Sequence, residues 1–242
     1  MIPARIGSVR LKYKNLAIVN SKPLIYYAVQ AAKDSGIFDN IVINSEHKIF
    51  SEIASRYGVE YYKRPENLGT SSTKSDEVVA DFMRSYSSAS IVAWVNPITP
   101  FQTGEEVSEI VKYFLKENLD SLITVENKQV HCLSNGEPLN YKNDAAFAQT
   151  QDLIPIQAFV YSVMMWRSQS FLDEYAKKGY AIFCGKFGTF PVSPMTSMII
   201  KTENDLRRVD SIMQCMNKHW NEFTIEYDPL VKIIISNSEK NQ

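Results

Sequence analysis

Short apolar runs rich in β-branched residues alternate with longer amphipathic stretches along most of this chain, and that alternation leaves few folds open. A strand followed by a helix and a further strand is the βαβ unit, whose right-handed crossover makes the strands parallel. LIYYAVQAAKDS (24–35) reads as a helix closed by Gly36, and IVIN (41–44) as the strand after it. Residues 47–57 read as a second helix closed by Gly58, and VEYYKRP as a short strand leaving through Pro65. A hydroxyl-rich stretch then leads into a helix expected from about Asp76 to Ser85, with Asp76 and Glu77 complementing the positive end of its dipole.

SIVAWVNPITPF follows, apolar without a break to Val95 and stopped by Asn96-Pro97. A strand covered on both faces has this composition, so it is the candidate for the middle of the sheet. Residues 104–117 predict a long amphipathic helix and SLITV (121–125) another strand. From about 126 to 160 the periodicity lapses, with Gly136-Glu137-Pro138 marking a turn, which predicts a protruding arm suited to docking on a second subunit. Strands are expected near 158–166, 181–184 and 197–200, and a helix from Glu203 to about Lys218. A tail over about 220–242 carries VKIII, able to pair as an edge strand or to pack on a partner. At 242 residues, without repeats, the chain is expected to be a single domain.

Charge excludes some partners. A formal net charge of -1 gives no global field for nucleic acid or an anionic membrane, so neither is expected. Cys132, Cys184 and Cys215 lie far apart without ligand spacing, which reads as reduced packing residues. The chain shows neither a bilayer-spanning apolar run nor a signal-peptide core, and a cytoplasmic location is expected.

Against that neutral background the first residues, MIPARIGSVRLKYKNL, are a local concentration of positive charge. Arg5, Arg10, Lys12 and Lys14 surround a Gly7-Ser8 pair between an apolar tripeptide and a helix. Glycine lets a ligand approach the backbone, serine offers a hydroxyl, and successive N–H groups can converge on an anion. The layout is that of an anion-binding loop. His47, His131 and His219 fall in no such constellation and read as surface or packing residues, as do Tyr26-Tyr27 and Tyr61-Tyr62.

IPARIGSVRLKYKN resembles the N-terminal signature of the CMP-sugar synthetases, the acylneuraminate and 3-deoxy-octulosonate cytidylyltransferases, close to PARxGSxRxPxKN. Pro3, Ala4, Arg5, Gly7, Ser8, Arg10, Lys14 and Asn15 keep its spacing, and the GKPLI that follows is similar to Ser21-Lys22-Pro23-Leu24-Ile25. Further along, KRPENL resembles LRPxEL, NPITPFQT resembles QPTSPLRT, TQDLIP resembles RQDLPP, and IIKTENDL resembles DxDTxxDL. The apolar run preceding IPAR in the family is here only Met1, which predicts a short first strand or a start lying upstream.

The resemblance implies an α/β, three-layer, Rossmann-like nucleotidyltransferase fold with a mostly parallel mixed sheet, a dimerisation arm and a homodimer. It implies attack of an acidic-sugar hydroxyl on the α-phosphate of CTP, releasing pyrophosphate. Arg5 and Lys14 would be the catalytic charge partners of the triphosphate, and Ala4, Gly7, Ser8, Arg10 and Asn15 would complete the nucleotide loop. Arg64 and Ser75 would close the cytidine pocket. Asn96, one methylene shorter than the family's Gln, and Gln151 would meet the sugar. The family's two magnesium-binding aspartates correspond to Ile199 and Lys201, neither of which offers a hard oxygen. Magnesium is therefore expected from the family without its protein ligands. Either Lys201 places a fixed charge where the metal would sit, or the protein binds a nucleotide or partner without turnover, as a regulator or scaffold. Asp205 as a replacement ligand is disfavoured by its place at a helix start.

Overall fold

A computed structural model describes residues 1–219 of the chain, and the tail expected to pair as an edge strand or to pack on a partner lies outside the described residues. The strands are β1 (Ile2–Pro3), β2 (Val42–Ser45), β3 (Glu60–Lys63), β4 (Ile91–Val95), β5 (Ser121–Lys128), β6 (Ile156–Arg167) and β7 (Phe187–Pro191). The helices are α1 (Leu24–Asp34), α2 (Ile49–Tyr57), α3 (Ser75–Ser85), α4 (Gly104–Lys116), α5 (Ser168–Lys178) and α6 (Glu203–His219).

One half of the sheet runs β3-β2-β1 and the other β4-β6-β5-β7. They meet at the chain start, where the Met1 amine donates to Ala93 O (2.8 Å) and Val95 N–H donates to Met1 O (3.0 Å). Among these strands β6 alone is antiparallel to its neighbours, so the sheet is mixed and mostly parallel.

The sequence forces the layers. Alternate residues of a strand face opposite ways, and in β4 Val92 packs with α3 and α5 while Ala93 faces α1 and α4. Trp166, Phe171, Val79 and Met83 fill the first side, and Ile110, Phe114, Leu122 and Val163 the second. Each such large side chain stabilises the fold by about 1.5–3 kcal/mol on burial. A third cluster joins Ile25 and Val29 of α1 to Phe50 and Ile53 of α2 under β1 and β2. Helices thus cover both faces of the sheet. No helix of the described residues is long and apolar enough to cross a membrane.

Several expectations need correction. Residues 181–184 form a turn, because the Ala181 and Ile182 N–H groups both donate to Asp76 Oδ1 (2.6 and 3.1 Å) and are unavailable to a ladder. Residues 197–200 are also not a strand. Glu106 captures Ser193 N–H and the Thr196 hydroxyl, and Ser197 N–H returns to Ser193 O, winding this segment into turns. The last strand of the sheet is instead β7, hidden in sequence by Gly188 and Pro191, and α5 matches none of the expected elements. The strand expected at 158–166 starts at Ile156 and carries an irregularity between Phe159 and Met164, with Tyr161 at φ 60°. The irregular stretch expected over about 126–160 is shorter, because β5 continues to Lys128 and pairs there with Ile156 of β6; residues 129–155 between them hold a two-residue hairpin (Leu133–Ser134 with Glu137–Pro138) and a 3-10 turn at Thr150–Asp152.

Candidate active site: a cationic cleft at the ends of two parallel strands

In sheets of this kind ligands gather beyond the carboxyl ends of the strands, where neighbouring connections diverge. Here β1 exits into Ala4 and Arg5, β4 exits into Asn96, and a cleft of about 280 Å³ opens between the two loops. That volume lies just below the usual range for small-molecule cavities, roughly 300–1,000 Å³. Ala4, Arg5, Ser8, Arg10, Lys14 and Asn15 line it from the first loop. Arg64 and Ser75 line it from the far side, with Trp94 of the central strand, Asn96 just beyond it and Lys201 from before α6. Gly7 is exposed and outside the cleft wall, and a Cβ there would meet nothing within 4 Å, so protein packing places no demand for glycine. Gln151 lies on the arm, exposed, its carbonyl taken by Gln129 Nε2 (2.8 Å), and the structure does not bring it into the cleft.

The loop is fixed by long-range bonds. Ala4 N–H donates to Asn44 O (2.9 Å), continuing the β1–β2 ladder past its last paired residue. Arg5 Nη1 donates to Thr70 O (3.0 Å), and Asn15 Nδ2 returns to Arg5 O (3.3 Å). Tyr13, at φ 52°, turns the chain into the 3-10 helix Lys14–Leu16, which buries Asn15 and carries Lys14 on the cleft wall. The family's GKPLI glycine is Ser21 here, and it sits at φ 67° in a tight turn between Ile18–Val19 and Lys22–Pro23.

Glu46 is the hub that sequence reasoning missed. One carboxylate oxygen accepts from Ile6 N–H (2.8 Å) and the other from Arg64 Nη2 (2.8 Å). Arg64 is 4% exposed and also donates to Ala4 O (3.4 Å), while its Nε has no partner among the described residues. Gly69 has to be glycine for this packing, since a Cβ would stand 2.5 Å from Glu46 Cγ. A carboxylate directly after the apolar run IVINS was the available signal.

The clustered charge perturbs Lys14. Burial, then Arg10, Arg5 and Lys201, lower its ammonium from 10.5 to about 8. The magnesium ligands expected from the family do not fit this chain. Ile199 packs against the core under α4, and Lys201 faces the cleft. Asp205 is a helix cap: its Oδ2 accepts from Lys201 N–H, Thr202 N–H and the Thr202 hydroxyl, while Thr202 Oγ1 accepts from Asp205 N–H (3.3 Å). Among the described residues no three His, Cys, Asp or Glu side chains are grouped to hold a metal ion.

The sequence profile described as Cytidylyltransferase matches residues 1–162. The chain is 32% identical over 114 residues to the N-acylneuraminate cytidylyltransferase of Escherichia coli O18:K1:H7, covering 47% of this chain and 27% of that protein. It is 40% identical over 80 residues to the pseudaminic acid cytidylyltransferase of Campylobacter jejuni, covering 33% of this chain and 34% of that protein. The aligned stretches thus span about a third or less of these relatives. Among solved structures, CMP:2-keto-3-deoxy-manno-octonic acid synthetase complexed with CTP superposes with a TM-score of 0.64 at 15% identity, over 88% of this chain and 96% of that one. A cytidylyltransferase from Leptospira borgpetersenii gives 0.59 at 17% identity, over 98% and 93%. These likenesses carry the fold.

Proposed function

This chain belongs to the cytidylyltransferase family, and from that membership we propose that it transfers CMP from CTP to a hydroxyl of an acidic eight- or nine-carbon sugar of the sialic-acid type. The observation that carries the reading is the convergence of Arg5, Arg10, Lys14, Arg64 and Lys201 on one cleft at the carboxyl ends of β1 and β4 in a chain of near-zero net charge. A triphosphate is the ligand that needs such a concentration of cations.

In this reading the triphosphate lies along Arg5, Ser8, Arg10 and Lys14, and the nucleoside faces Asn15, Arg64 and Ser75. The sugar hydroxyl attacks the α-phosphorus and gives up its proton to solvent, a new P–O bond forms, the bond to the bridging oxygen breaks, and pyrophosphate leaves. Negative charge accumulates on that leaving group, so ammonium and guanidinium groups fixed beside it lower the barrier. Lys14 is suited to this part because an approaching phosphate favours its charged form. Asn96, on the cleft wall, is the contact proposed for the acceptor sugar.

Pairing of two copies through the arm belongs to the same reading. Phe147 and Ile154 are each 80% exposed on that arm, more apolar surface than an isolated loop benefits from showing. CTP is an intracellular nucleotide, and the reading puts the protein in the cytoplasm.

Calorimetric titration with CTP, followed by pyrophosphate release over a panel of eight- and nine-carbon ulosonic acids, tests the proposal. Binding followed by release with at least one sugar is the expected result. CTP binding without release from any sugar overturns the transferase reading and leaves a nucleotide binder; absence of CTP binding overturns both.

A further inference from the structure

We propose that the cleft holds a triphosphate by side-chain cations alone, with the ammonium of Lys201 in the place of a divalent metal ion, so that magnesium weakens binding of the nucleotide. The inference rests on the reading of the cleft as a CTP site and adds to it which ionic form of the nucleotide is bound.

Hard divalent cations need several oxygen ligands, carboxylates above all. The residues lining the cleft include five cations and not one Asp or Glu. The carboxylates next to that wall are already engaged. Glu46 has one oxygen on Ile6 N–H and the other on Arg64, and Asp205 has Oδ2 on the cap of α6. Drawing Glu46 onto a metal would leave the Arg64 guanidinium buried without its counter-ion.

Lys201 is anchored as a ligand-facing group would be. Ile200 N–H donates to Ile98 O (2.9 Å), tying the segment to the loop beyond β4, and Lys201 N–H donates to Asp205 Oδ2 (3.0 Å), tying it to α6. The backbone on either side of the lysine is therefore fastened to two elements, while its side chain faces Lys14 across the cleft closely enough to help depress the Lys14 ammonium. A cluster of like charges of this kind is relieved by the most negative ligand available. Free CTP carries two more negative charges than its magnesium complex, and the bound metal would meet repulsion from Lys14 and Lys201. The metal-free form is the better fit.

The full chain is titrated calorimetrically with CTP, and separately with inorganic tripolyphosphate, first in EDTA and then with excess magnesium chloride. Both probes are expected to bind in EDTA, with affinity falling by roughly tenfold or more in magnesium, about the loss of one charge-assisted contact. Lys201→Asp should reverse the sign, so that magnesium strengthens binding, whereas Lys201→Met should weaken binding in EDTA and flatten the magnesium dependence; a thermal melt of each variant reports folding. Binding of CTP only with magnesium, or more tightly with it, overturns this inference and leaves the CTP reading intact. Metal-free binding of tripolyphosphate without binding of CTP keeps the inference and overturns the nucleotide reading. Binding of neither probe in either buffer overturns both.

Discussion

The cleft and the arm are both built from irregular, polar chain, yet their hydrogen bonds run in opposite senses. In the cleft, Ile6 reaches Glu46, Arg5 reaches Thr70 and Arg64 reaches Ala4, partners 40, 65 and 60 residues apart. In the arm, Asn140 alone gathers Cys132 N–H, Val130 O and Ile154 O, and Gln129 takes Gln151 O, so the partners are 8 to 22 residues apart and lie within the arm. Long-range bonds tie the first region to the β2 and β3 ends of the sheet, so the fold itself sets the positions of its cations. Local bonds give the second a shape of its own while its apolar side chains face outward. Pre-organised charge belongs to the first region, and the proposed reading makes the second a surface for docking.

Breaking the hub of the cleft should have the largest effect. Glu46→Ala removes the counter-ion of a guanidinium that is 4% exposed, and stranding a buried charge costs about 3–5 kcal/mol. Urea unfolding should show this as a lower midpoint. A loss below about 1 kcal/mol would mean that Arg64 escapes to solvent, and with it the argument that the cleft is built in advance.

The cations that face the ligand should matter for binding more than for folding. Arg5→Ala and Lys14→Ala are each expected to weaken CTP binding by about 1.5–3 kcal/mol, the range for hydrogen bonds to charged groups. Calorimetry reads the change directly, and unaltered affinity in both variants would remove the triphosphate from this loop.

Lys14 also sets a pH dependence. Its folded ammonium titrates near 8 against 10.5 in the unfolded chain, so between those values the unfolded state holds more protons and stability rises with pH; below about 8 the full cost of burying the charge is present. Binding runs the other way. A triphosphate wants the ammonium protonated, so CTP affinity should fall by up to about tenfold per pH unit above 8. Lys14→Arg, which stays charged, should flatten that profile; an unchanged slope would locate the titration elsewhere.

Ser21 is a smaller test of the same framework. A non-glycine residue in the left-handed region costs about 1–2 kcal/mol, and Ser21 stands at φ 67° in the turn that leads into α1. Ser21→Gly should therefore raise stability by up to about 1 kcal/mol after the entropy of a glycine is set against it, visible as an increase in melting temperature.

What the sequence disclosed follows the same division. Periodicity gave β2, β4, α1, α2, α3 and α4 to within two residues, because burial against both faces of a sheet demands those patterns. It failed at 181–184 and 197–200, where the backbone N–H groups are captured by Asp76 and by turns held from Glu106, contacts across 87 residues or more that no local pattern encodes. In the cleft, spacing singled out Arg5, Ser8 and Lys14 because a loop that meets an anion needs small residues and cations close together, whereas Arg64 came only through the resemblance of KRPENL to LRPxEL. Glu46 stayed hidden, since its meaning lies in two partners, one on each side of it in sequence. Gln151 was singled out by a motif, and a motif carries no information on which copy of the chain its side chain will face.

Gln151 accordingly gives the smallest effect and the sharpest separation of the two regions. Its side chain is exposed and bonds Gln149, the residue that precedes the 3-10 turn, so Gln151→Ala should change the stability of the chain by less than about 0.5 kcal/mol. CTP affinity should also stay as it is, because no atom of Gln151 lines the cleft of its own chain. Under the reading of the arm as a docking surface, the same substitution should raise the KM for the acceptor sugar, a change that depends on a second copy. Measuring CTP affinity and sugar KM in parallel on one variant therefore asks whether the arm serves the chemistry at all: a shifted sugar KM with an unshifted CTP affinity ties the arm to the acceptor, and a shift in neither reduces it to an ornament of the fold.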